Sequence, residues 1–166
     1  MNLSELLIAE IERESPNTRA IFDRIPEDQL DWKPHEKSMT LGQLAAHIAQ
    51  LAGFPALIMK TDYLDFAEGG ATMPVIKTTQ DLVDLLDKEY QDSLKALRTS
   101  SEEDLGASWI MRHGDYVIFD NTKEFAIRHI GLNHLNHHRG QLSVYLRLLD
   151  IPIPGMYGPS ADDVIS

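Results

Sequence analysis

Residues 121–149, NTKEFAIRHIGLNHLNHHRGQLSVYLRLL, decide how this chain folds. Asn121-Thr122-Lys123-Glu124 has the spelling of a capping box, in which the side-chain oxygen of the N-cap residue and an acidic side chain three residues on satisfy N–H groups that the first helical turn leaves free. A helix is expected from there to about Leu149, because Pro152 and Pro154 forbid continuation. Ile127, Ile130, Leu142 and Tyr145 fall on one stripe with His134 and His138, so both imidazoles are expected to look inward. Residues four apart on a helix differ by about 40° in direction and stand about 6 Å apart, so two imidazoles at that spacing can close on one ion. His137 points about 100° away from His138 and is expected off that face.

The same reasoning extends outward. Thr40-Leu41-Gly42-Gln43 spells another capping box before Leu44, Ile48 and Leu51, a helix expected to bend near Pro55. His47 stands three residues after Leu44 and four before Leu51, again on the inward face. Thr78-Thr79-Gln80-Asp81 caps a helix carrying Leu82, Leu85, Leu86, Tyr90, Leu94 and Leu97. At the N-terminus Leu3, Leu6, Leu7 and Ile11, then Thr18, Ile21 and Phe22, continue one pattern across Ser15-Pro16, where a kink is expected. Residues 25–39 read as a structured connection with Leu30 and Trp32 tucked against the bundle. Around His113-Gly114-Asp115, β-branched and aromatic residues from Trp109 to Phe119 predict a short β-hairpin before the last helix. Without a fixed-period repeat or Gly/Ser linker, the expectation is a single domain over residues 1–166, all-α, an antiparallel up-and-down four-helix bundle.

Composition narrows the chemistry. Fifteen basic residues against twenty-six acidic ones give a net charge of −11. Such a surface repels phosphate backbones and anionic lipid, so neither nucleic acid nor membrane is an expected partner. Acidic residues interrupt Met1-Asn2-Leu3-Ser4-Glu5 before any apolar signal segment, and a cytoplasmic location is expected. Cysteine is absent, which removes disulfides, thiolate ligands and a cysteine nucleophile of the protein's own.

The chemistry therefore rests on histidine, of which the chain has seven. His47, His134 and His138, brought together from two helices, would offer three neutral imidazoles. That set suits zinc, nickel, copper or iron and leaves a coordination position open. Calcium and magnesium prefer oxygen. His35, His113 and His129 read as loop or surface groups, and His137 as a neighbour of the site.

The words of the sequence also resemble a family. Asn133-His134 through His137-His138-Arg139-Gly140-Gln141, then Tyr145-Leu146-Arg147 and the tail Pro-Gly-Met-Tyr-Gly-Pro-Ser-Ala-Asp at 154–162, resemble the DinB-like (DinB/YfiT) family of metal-dependent enzymes. Asp31-Trp32-Lys33-Pro34 and the run from Ser38 to His47 look like the same family's approach to its second helix. The likeness spans almost the whole chain. It implies a four-helix bundle, a divalent metal on His47, His134 and His138, and a homodimer. Some members resemble transferases using low-molecular-weight thiols, others mycothiol-dependent isomerases, so the resemblance fixes the site better than the reaction.

Three functions follow as expectations. In the first, a metal-dependent transferase or isomerase acts with a small thiol, which the metal activates by lowering its pKa. Arg139, Tyr157 and Asp162 are then candidates for substrate contacts, each with a competing structural role: Arg139 in a helix-to-tail ion pair, Tyr157 as a packing residue. In the second, a hydrolase uses metal-bound water. It lacks the carboxylate base of a His-Glu-x-x-His helix, since Leu135 and Asn136 follow His134. The third is a stress-related metal-binding protein without turnover.

Overall fold

A computed structural model describes residues 2–69 and 74–163. Met1, residues 70–73 and residues 164–166 of the expected domain lie outside the described residues. The chain forms α1 (Leu3–Phe22), α2 (Leu41–Ala52), α3 (Phe54–Lys60), β1 (Tyr63–Asp65), α4 (Thr79–Arg98), α5 (Glu102–Gly106), β2 (Ser108–His113), β3 (Tyr116–Thr122), α6 (Lys123–Ala126) and α7 (His134–Leu148). It is a mostly helical fold with one small three-stranded sheet. Among the described residues no single helix is long and apolar enough to cross a membrane.

The expected caps form. Thr40 and Gln43 close a capping box at α2, and Thr78 and Asp81 close one at α4. Each satisfies two of the orphan donors at a helix start. α1 runs unbroken through Pro16, so the expected kink does not divide it. The bend near Pro55 is real: α2 and α3 meet at 45°. Pro55 has no N–H to continue the ladder. Ser93 of α4 compensates, donating from Oγ to the Ala52 carbonyl at 2.7 Å and accepting the Ala56 N–H at 3.3 Å.

α4 lies against α1, α2 and α3, while α2 also packs on α7. The core between them is aliphatic: Leu44, Ile48 and Leu51 of α2, Leu82, Leu86 and Leu97 of α4, and Leu142 and Leu146 of α7 are each no more than 1% exposed. Each such side chain contributes about 1.5–3 kcal/mol through burial. Leu30 and Trp32 pack as expected. The Gly42 N–H donates to the Leu30 carbonyl at 2.9 Å, and the Trp32 ring meets Tyr145 of α7 edge-on at 5.7 Å.

The predicted hairpin is β2 and β3, paired antiparallel around a two-residue turn. Gly114 takes φ +57° there, a conformation that glycine adopts without steric cost at the first central position of a tight hairpin. β1 adds a third strand, parallel to β2. Trp109 roots the sheet in the helical layer, fully buried and donating from Nε1 to Thr61 Oγ1 at 3.0 Å.

The last helical run corrects the sequence reading. It is not one regular α-helix: Ile127–Asn133, between α6 and α7, is a π-helical stretch. The start falls where expected, with the Thr122 side chain accepting from the Phe125 N–H, but the expected capping box does not form because Phe125, not Glu124, stands three residues past the N-cap. Gly131 of that stretch faces Phe54 and Pro55 of α3 at ordinary contact distance, where an added Cβ would stand 3.5 Å from the Phe54 Cβ.

Candidate metal centre

α2 and α7 bring His47, His134 and His138 together, as the two inward stripes predicted. One ligand nitrogen from each ring lies within 4.8 Å of the others. A tetrahedral ion with bonds of about 2.0–2.1 Å would separate its nitrogens by about 3.3 Å. The closest pair, His134 Nε2 and His138 Nε2, stands at 2.9 Å. The His47 ring meets His134 at 5.2 Å and His138 at 4.7 Å between centroids, nearly perpendicular to both.

The protons of two rings are turned outward. His138 Nδ1 lies 2.7 Å from Gln141 Oε1, and His134 hydrogen-bonds the Ile130 carbonyl four residues back. Oxygen atoms of this kind only accept, so each ring spends its Nδ1 proton there and presents an Nε2 lone pair to the other. The π-helical stretch helps, because the His134 backbone N–H bonds Gly131 instead of Ile130. Two lone pairs converging at 2.9 Å repel each other unless a cation stands between them. Such outward partners also fix the orientation of metal-binding imidazoles.

A proton is a poor candidate for that cation. Burial pushes His47 down to about 4, with His138 and His134 adding repulsion. His134 and His138 are also lowered from the usual histidine range, chiefly by burial. Neutral imidazoles are what borderline-soft divalent ions bind. The donor set therefore fits a transition metal, and among the described residues no carboxylate joins the group.

The remaining sequence candidates sit elsewhere. His137 is exposed, its ring 5.0 Å from that of His138 and outside the cluster. His35 Nδ1 accepts the Lys37 N–H within a turn, His113 ends β2, and His129 stacks on Phe119 and Phe125. Arg139, Tyr157 and Asp162 are structural. Arg139, 3% exposed, donates to Glu14 Oε2 at 2.6 Å, Thr18 Oγ1 at 3.0 Å and Tyr157 Oη at 2.6 Å. Asp162 pairs with Arg147 at 2.6 Å and accepts the Ile153 N–H, folding the tail onto α7.

Beside the cluster lies a cavity of about 360 Å³, lined by His47, His134, Gln50, Phe54, Phe66, Met111 and Ile130. Sequence reasoning had placed three of these near the site and missed Gln50, Phe54, Phe66 and Met111. Gln50 was legible, one turn beyond His47 on the same helix, as was Gln141, three residues beyond His138. Phe66 and Met111 reach the cavity only because β1 pairs with β2. Asp65 holds that corner: it accepts the Ala67 N–H at 2.9 Å and the Gly114 N–H at 3.0 Å, donors that keep its carboxyl below the usual range.

Fold and site together define a class: a mostly helical protein with three histidines that could hold a metal ion. The chain belongs to the DinB superfamily, whose sequence pattern matches residues 10–142. It is similar to the uncharacterized protein YrdA of Bacillus subtilis (strain 168), 25% identical over 152 residues, 92% of this chain and 86% of that one. A DinB-like protein from Bacillus cereus ATCC 10987 shares the fold with a TM-score of 0.72 at 22% identity, covering 92% of this chain and 97% of its own. The DinB-like protein YjoA from Bacillus subtilis gives 0.70 at 20% identity, covering 93% and 99%.

Proposed function

We propose that the chain is a metal-dependent transferase or isomerase acting with a small thiol. His47, His134 and His138 would hold one divalent transition metal, zinc or nickel before iron. The observation that carries this is the pair of Nε2 atoms 2.9 Å apart whose Nδ1 partners are both acceptors. When bound, such a cation supplies Lewis acidity, which lowers the pKa of a thiol.

The chain's own residues support the choice of reaction. Gln141 and the Ile130 carbonyl hold two imidazoles in the ligating tautomer. Phe54, Phe66, Met111 and Ile130 give one side of the cluster an apolar wall. A hydrolase would need a general base, yet among the described residues no carboxylate lines the cavity or joins the histidines. With no cysteine in the chain, a thiol nucleophile must come from outside. The same reading takes residues 1–166 as one cytoplasmic domain built on an antiparallel four-helix bundle. It also takes the active form as a homodimer of about twice the 18.7 kDa chain mass.

The test is to load the protein with zinc or nickel and incubate it with a panel of thiols and electrophiles while following thiol loss. Turnover abolished by a chelator and restored by metal is the expected result. A thiol that perturbs the visible spectrum of the cobalt form, with no turnover for any electrophile, would leave a binding protein in place of an enzyme.

A further inference from the structure

Four separate segments contribute one apolar wall each to the cavity beside the histidines. Phe54 comes from α3, Phe66 from the turn after β1, Met111 from β2 and Ile130 from the π-helical stretch. At about 360 Å³ the space lies near the lower end of small-molecule sites, which run from about 300 to 1,000 Å³. Among the described residues, no Asp, Glu, Lys or Arg lines it. A charged ligand entering there would lose its hydration with no side chain of opposite charge to replace it, and in the transferase reading the charge of the bound cation is met by the thiolate. The overall charge of −11 further disfavours anions.

Among the described residues, one polar side chain lines the cavity besides the two imidazoles. Gln50 lies three residues after His47 on α2, and its amide can both donate and accept. An apolar chamber with a single amide selects a molecule that is mostly hydrocarbon and carries a neutral polar group at one end. The two aromatic walls favour a planar body, and Met111 can adapt to its outline.

We infer that the co-substrate is a compact, uncharged molecule with an apolar, planar body seated against Phe54, Phe66, Met111 and Ile130, its neutral polar group oriented by Gln50. This rests on the transferase reading, in which that molecule is the thiol's reaction partner.

The experiment reads binding of inert probes to the zinc-loaded full chain, its open metal position filled by saturating 2-mercaptoethanol, by fluorine NMR line broadening. The probes are 4-fluorobenzamide, 4-fluorotoluene, 4-fluorobenzenesulfonate and 4-fluorobenzyltrimethylammonium. 4-Fluorobenzamide should bind at least about tenfold more tightly than either charged probe. Ile130→Trp and Met111→Trp fill the cavity from two separate segments, and each should abolish probe binding while retaining zinc. Gln50→Leu should weaken the benzamide about three- to tenfold and leave the toluene unchanged. Charged probes binding as tightly as the benzamide would overturn the inference, as would zinc-loaded Trp variants that both still bind it. Equal weakening of benzamide and toluene by Gln50→Leu would remove the role of Gln50. Because the probes are inert, the two ideas fail separately. Probe binding without thiol turnover defeats the transferase reading alone, whereas turnover confined to charged electrophiles defeats this inference alone.

Discussion

His138 and Arg139 are neighbours on α7, yet their surroundings are opposites. Arg139 faces α1 and is saturated: Glu14, Thr18 and Tyr157 accept from its guanidinium, and Tyr90 in turn donates to Thr18 at 3.0 Å. Burial pushes Tyr90 up to about 12, so it stays a donor. His138 faces α2 and is left incomplete, its outer nitrogen partnered and its inner one aimed at another lone pair. Buried polar groups in a folded protein are ordinarily satisfied. The difference teaches that a closed polar network holds the fold together, whereas one whose nitrogens converge on a common point could hold a metal ion.

Breaking the closed side should cost the most stability. Arg139→Ala strands the Glu14 carboxylate in a nearly buried position, and removing one partner of a buried pair costs about 3–5 kcal/mol. Urea unfolding should show that loss, with metal content per folded molecule unchanged. If Arg139→Ala released metal from protein that remained folded, the two faces would not be independent.

The open side should behave in reverse. His138→Ala or His47→Ala should lower zinc affinity by more than the roughly 10–100-fold typical of an outer partner. Helical circular dichroism should persist, since alanine favours helix and the core does not depend on the ion. Unfolding on loss of metal would make the site structural. Gln141→Leu removes only the acceptor for His138 Nδ1 and should cost about 10–100-fold in affinity, with Gln141→Glu restoring it.

A smaller effect concerns pH in the metal-free protein. His47 titrates near 4 when folded and near 6.5 when unfolded. Between these values the unfolded chain binds more protons, so stability falls as pH drops through about 6.5 and levels off below about 4. His47→Ala should flatten that slope, and an unchanged slope would place the titration elsewhere. The smallest effect is expected for His137→Ala, which should retain metal to within about threefold, less than the change usual for an outer partner. Loss equal to that of His138→Ala would mean that α7 is rotated from the orientation described.

What the sequence made legible was local. The boxes at Thr40 and Thr78 follow from the side chain three residues on, and the inward direction of His47, His134 and His138 follows from a 3.6-residue repeat. The π-helical stretch leaves no such trace, because the apolar stripe of Ile127 and Ile130 runs into it with ordinary helical spacing. The short α5 did have a signal, the box of Ser101 and Asp104, but lacks an apolar period to draw attention to it. Phe66 and Met111 are distant in sequence and meet only through a parallel strand pair. Arg139 was legible as an ion-pairing residue, but not its partner on α1.

The elbow between α2 and α3 acts as a pinned joint. Its pin is the Ser93 hydroxyl, 0% exposed, which grips a carbonyl before the bend and an amide after it. His47 rides on one arm and Phe54 on the other, so the angle of the joint sets the distance between an imidazole of the cluster and an aromatic wall. The Glu89 carboxylate of α4 lies over the joint, its Oε2 1.9 Å from where a Cβ on Gly53 would stand. Among the described residues α4 lines neither the histidine cluster nor the cavity, yet it supplies the pin and so acts as the gauge to which the aperture of the site is set.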